Sequence, residues 1–185
     1  MFMLWAIPLG IAVGFLARGQ LDGLSRLRFR WAWLAVAGLL VQIVLFTPTG
    51  DRLAGTLGPA IYVGSTFLVF LAVLRNIRLP GMSIVALGSI SNLIAITANG
   101  GFMPAEPAAL ATAGLDGPGE HTNSVVLETP AFEPLTDIFA IPEALPFANV
   151  FSVGDVLLGV GIVIVIAAAM RRPVAAQLEV QPTEA

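Results

Sequence analysis

Residues 99–155 read NGGFMPAEPAALATAGLDGPGEHTNSVVLETPAFEPLTDIFAIPEALPFANVFSVGD, and how this stretch is read decides the fold. It is the one long segment without an apolar run of membrane length. It holds the only histidine, eight of the 12 acidic residues and no arginine or lysine. Seven of the 13 prolines fall in it (Pro104, Pro107, Pro118, Pro130, Pro134, Pro142 and Pro146), a density that forbids long helices. It is nevertheless too apolar for a solvated linker: Val125, Leu127, Phe132, Ile138, Phe139, Ile141, Leu145, Phe147, Val150 and Phe151 recur through it. A segment of this kind is expected to fold back as a cap over helix ends or to lie in the headgroup layer. Within it, Pro134–Ile141 is expected to form one short helix, with Pro134 in the first turn, Pro142 as the stop, and Leu135, Ile138 and Phe139 on the buried face.

Both borders are punctuated. Asn99-Gly100-Gly101 supplies the left-handed backbone with which helices commonly end. Ser152-x-x-Asp155 is a capping box, the serine side chain accepting from one free N–H and the acid reaching back to another. Asp155 therefore reads first as a structural carboxylate. Its functional reading is an acid beside Asn92 or Asn99 at the mouth of a helix bundle.

Working outward, the flanks explain the composition. The 185 residues are 57% hydrophobic and 11% charged, with a mean hydropathy of +0.89. Soluble domains carry about 25% charged residues, so this surface is built for lipid. Five apolar runs stand out: Met1–Ala17, Trp31–Thr47, Thr56–Leu74, Gly81–Ala98 and Val153–Met170. The expected fold is an all-α integral membrane protein, five transmembrane helices with an extracytoplasmic cap between helices 4 and 5. It divides into residues 1–98 (helices 1–4 and short loops, Pro48–Gly55 among them), 99–152 (cap), 153–172 (helix 5) and 173–185 (a disordered tail). The first run lacks a basic leader and reads as a retained helix rather than a signal peptide.

Charge sets the orientation. With the N-terminus outside, the Arg18–Arg30 loop, the Arg75–Arg78 turn and the Arg171–Arg172 end all fall on one side, and Arg52 alone lies opposite. The positive-inside rule makes the arginine side cytoplasmic, in a plasma-membrane protein with its C-terminus inside.

Small and polar residues mark the expected contacts. Gly10 and Gly14 form a small-xxx-small pair through which helix 1 could meet a membrane-protein partner, the cap being the other candidate contact surface. Ala35, Gly38 and Gln42 make a stripe on helix 2. Gly88, Asn92, Ala95 and Asn99 share one face of helix 4. Gln42 and Asn92 are the strongly polar mid-span side chains, suited to a small polar cavity or an interhelical hydrogen bond.

Reaction signatures are scarce. Without cysteine there are no disulfides and no thiolate metal sites, and one histidine falls short of the three or four ligands of a zinc site. His121 beside Glu120 reads as an exposed loop residue, with general base as its functional alternative. No G-x-S-x-G, H-E-x-x-H, P-loop or dinucleotide pattern occurs, and no basic-aromatic patch points to nucleic acid. No catalytic residue, metal or cofactor is assigned. The candidate polar cluster is Gln42, Asn92, Asn99, His121, Asp137 and Asp155, with Ser152 and Asp155 as the helix cap.

Three stretches also carry a resemblance: Asn99-Gly100-Gly101-Phe102-Met103-Pro104, then Leu135-Thr136-Asp137-Ile138-Phe139 with Ile141-Pro142, and Phe151-Ser152-Val153-Gly154-Asp155. Together they resemble the signatures of a bacterial family of small polytopic membrane proteins known as a domain of unknown function. That family often has Gly-Asp where this chain has Thr136-Asp137. The resemblance implies the architecture and lends no mechanism. The expected role is a binding, accessory or assembly subunit in contact with membrane lipids. The alternative is an enzyme or carrier for a lipid-like molecule held under the cap.

Overall fold

The computed structural model describes residues 3–115 and 124–171. The chain is mostly helical, and each of the five apolar runs forms a helix: α1 (Met3–Leu16), α3 (Ala32–Leu45), α5 (Gly58–Arg75), α6 (Met82–Ala98) and α8 (Val153–Arg171). Short helices α2 (Asp22–Ser25), α4 (Pro48–Ala54) and α7 (Pro107–Thr112) lie between them. The long helices form a row in the order α1, α8, α6, α5, α3, each packed on its neighbours. Two helical stretches, Pro48–Arg75 and Val153–Arg171, are long and apolar enough to cross a membrane. Only 22% and 39% of their apolar windows are buried within the chain. Met3–Leu16, Ala32–Leu45 and Met82–Ala98 are shorter apolar helices.

Glycine holds the row together where helices approach most closely. Along the antiparallel α6–α8 seam, Gly81 abuts the Gly161 carbonyl and Gly88 the Gly154 carbonyl. The two pairs are spaced seven residues apart on both strands of the seam, two turns of helix. On α1, Gly10 rests against Ile166 and Gly14 against Met170. The small-xxx-small face is thus filled by the chain's own α8.

Two elements depart from the sequence reading. Pro48–Gly55, read as a loop, is largely the helix α4. Thr47 caps it by accepting from the Gly50 N–H at 3.0 Å, and Pro48 occupies its first turn. Gly50 is buried against the Val44 carbonyl, which lets α4 fold back on α3.

The cap, in turn, contains a small amount of sheet. Strands β1 (Met103–Pro104) and β2 (Ser124–Val125) pair in parallel; β3 (Phe139–Ile141) and β4 (Asn149–Phe151) pair antiparallel, Phe139 opposite Phe151. The helix expected over Pro134–Ile141 shrinks to the 3₁₀ turn Glu133–Leu135. The reason is backbone pairing. Asp137 N–H donates to the Pro104 carbonyl at 2.9 Å, and Glu106 N–H donates to the Asp137 carbonyl at 3.0 Å. Only an extended Asp137 can bridge β1 in this way. Phe139 accordingly sits 41% exposed, stacked on Phe151 with ring centroids 5.5 Å apart, rather than buried.

The cap is tied down at its start. The Asn99 side chain accepts from Ala131 N–H at 2.8 Å and donates to the Ala131 carbonyl at 2.9 Å, pinning a residue 32 positions away. Gly101, with φ of +90°, passes directly over Pro59 at the start of α5.

Candidate ligand cavity beneath the cap

The cap and the row of helices border a partly open cavity of about 510 Å³, within the 300–1,000 Å³ typical of small-molecule pockets. Its upper end is formed by Met103, Asp137, Asn149 and Val150 of the cap. Its walls come from α3, α5, α6 and α8, with Val69, Val73, Val85, Leu158 and Ile162 giving an apolar lining. Helix α3 packs on α5 and α4, with no extensive contact to α8 among the described residues. The cavity, lined from both α3 and α8, is therefore not closed by direct packing of those two helices on each other.

Polar groups gather toward the cap. Asn92 on α6 is the hub: its Nδ2 donates to Asp155 Oδ1 at 2.8 Å, and its Oδ1 accepts from Ser152 Oγ at 2.8 Å. Ser152 and Asp155 close the reciprocal cap of α8. Asp155 N–H donates to Ser152 Oγ at 3.1 Å, and Ser152 N–H donates to Asp155 Oδ2 at 3.1 Å. A local helix cap thereby becomes an interhelical lock. Gly154 makes it possible, since a Cβ there would collide with the Asn92 carboxamide. Ser152 is fully buried with its hydroxyl engaged on both sides, so it offers no nucleophile to a ligand. Asp155 lines the cavity and forms no ion pair among the described residues.

Four residues of the expected polar cluster line this one space: Gln42, Asn92, Asp137 and Asp155. Gln42 and Asn92 do not bond to each other. Gln42 Nε2 donates instead to Thr66 Oγ1 at 3.2 Å. Asp137 is 4% exposed and held by its backbone to β1. Asn99 lies off the cavity and staples the cap, as above. His121 lies outside the described residues. The sequence reading missed Ser89, Thr66 and Asn149, which also line the wall. Ser89 was findable: it stands one turn before Asn92, on the same helix face. It is 8% exposed and its hydroxyl makes no hydrogen bond among the described residues.

The cavity combines amide, hydroxyl and carboxylate groups at one end with an apolar sleeve at the other. Among the described residues, no group of three or more His, Cys, Asp or Glu is placed to hold a metal ion. No curated protein and no solved structure matches the chain. A family model does match, over residues 26–167, a region that contains all three signature stretches. The chain belongs to the family of unknown function DUF5317.

Proposed function

We propose that this chain is a five-helix membrane protein that binds a small amphiphilic molecule in the cavity beneath its cap. In this reading α1, α3, α5, α6 and α8 span the bilayer. The N-terminus and the cap at 99–152 face the extracytoplasmic side, and the arginine-bearing ends face the cytoplasm. What supports embedding is the apolar outer surface. Leu40, Ile43, Val44 and Leu87 are each more than half exposed, a pattern no water-facing surface sustains. Helices of 14 residues span about 21 Å; local thinning and flanking residues make up the rest of a hydrocarbon core of about 30 Å.

The observation that carries the binding reading is the union, in one cavity, of a valine- and leucine-lined sleeve with the Asn92–Asp155 pair, Asn149 and the unengaged Ser89 hydroxyl. Two carboxylates, Asp137 and Asp155, line that end and accept hydrogen bonds when ionised, so the fitting head group is a donor such as a hydroxyl, amide or amine. In this reading a lipid-dissolved molecule enters sideways between α3 and α8, which are not packed directly on each other. The test is equilibrium binding of a neutral, environment-sensitive alkyl alcohol probe to the full-length protein in nanodiscs. Saturable one-to-one binding is expected, weakened about tenfold or more by Leu39→Trp, which fills the sleeve from α3. Binding indifferent to that substitution would sink the proposal.

A further inference from the structure

The end of the bundle away from the cap carries a second, separate opening. Arg28 and Arg30, which precede α3, and Arg75 and Arg78, at the end of α5 and in the turn after it, come from segments more than 40 residues apart. They converge on one pocket of about 570 Å³. The convergence is built rather than incidental. Asn76, 6% exposed, donates Nδ2 to the Arg30 carbonyl and to the Ala72 carbonyl, both at 2.7 Å, and its Oδ1 accepts from Arg30 N–H at 2.8 Å. This buried carboxamide clamps the arginine-bearing segment to the α5–α6 turn. Arg75 is further held over the Trp31 ring, 5.8 Å from its centroid.

Among the described residues the pocket has no acidic lining residue, and none of its four arginines forms an ion pair. Guanidinium groups gathered in one pocket repel one another, and an anion joining them relieves that repulsion. The positive-inside rule asks only that arginines lie on this side. It does not ask them to share a pocket or to be clamped there by a buried side chain.

We propose that this pocket binds a phosphate-bearing group, its arginines holding the phosphate oxygens by bidentate hydrogen bonds. Two sources share that chemistry: an anionic lipid of the cytoplasmic leaflet and a free phosphate. The surroundings favour the lipid, because Leu74 and Ile77 line the same pocket at 41% and 42% exposure, a shoulder for acyl chains. The site is independent of the cavity under the cap.

The experiment is native mass spectrometry of the full-length protein in neutral detergent, with phosphatidylglycerol and phosphatidylcholine of matched chains added in equal amounts. A parallel titration uses inorganic phosphate, with chloride as the control. Selective retention of phosphatidylglycerol is expected, falling about 25-fold in Arg28→Gln/Arg78→Gln, at about fivefold per arginine. Asn76→Ala, which leaves the charge unchanged, should also reduce it by freeing the Arg30 segment. Saturable phosphate binding lost in the same variants supports the site with free phosphate as its source. Equal retention of both lipids with no phosphate binding, or a preference that survives the double arginine variant, overturns the proposal.

Discussion

Replacing Gly88 by alanine adds one methyl group at the tightest part of the α6–α8 seam. The new Cβ would lie 2.5 Å from the Gly154 carbonyl oxygen, 2.8 Å from the Leu158 nitrogen and 3.0 Å from Leu157 Cβ. Two of those atoms are backbone, so no rotamer change relieves the contact and the helices must part. Reaching the 3.4 Å of ordinary contact from 2.5 Å requires a retreat of ~0.9 Å. Overpacking of this kind costs about 1–3 kcal/mol. The same retreat stretches the 2.8 Å bonds from Asn92 to Asp155 and from Ser152 to Asn92, at about 0.6 kcal/mol each for hydrogen bonds between membrane helices. Alanine's helix propensity returns about 1 kcal/mol, leaving a net loss of about 1–3 kcal/mol. Gly64 is the matched control: it lies inside α5 with nothing within 4 Å of an added Cβ. There the same substitution keeps only the propensity gain. The two variants should differ by about 2–4 kcal/mol, or roughly 4–16 °C in melting temperature for a chain of this size. Thermal unfolding followed by circular dichroism in detergent would measure it. A Gly88→Ala protein melting at or above the Gly64→Ala protein would refute the seam as drawn.

Two further outcomes are expected. Asn76→Ala removes three hydrogen bonds around a buried carboxamide and should cost roughly 2–3 kcal/mol, read as a lowered melting temperature. An exposed substitution such as Arg78→Gln should leave that temperature nearly unchanged. A periplasmic-type reporter, active only outside the cytoplasm, should be active when inserted after Leu115 in the cap and silent when inserted after Arg78. Activity in the reverse pattern would invert the proposed orientation.

Local signals carried a good part of the fold into the sequence. Apolar runs and the Ser152-x-x-Asp155 spacing act locally along the chain, so helices α5 and α8 and the cap of α8 could be read directly. Asn92 and Asp155 were each legible as polar groups on helices otherwise suited to lipid. Their hydrogen bond to each other, 63 positions apart in sequence, was not certain in advance, because nothing local selects α8 over the other helices as α6's partner. Asn76 gave no signal at all: it sits among arginines in a turn, where an exposed amide is the ordinary expectation.

Sequence alone therefore determined that this chain makes apolar helices broken by a proline-rich, acid-bearing segment with defined borders. Those features rest on backbone preferences and on solvent transfer, which each residue expresses without a distant partner. The tertiary structure decided the rest. Asp137 is drawn into an extended bridge to β1, glycines set which helices touch, and two remote arginine pairs are brought to one pocket. Each depends on groups far apart along the chain, whose meeting is fixed by packing and hydrogen bonding in the folded state.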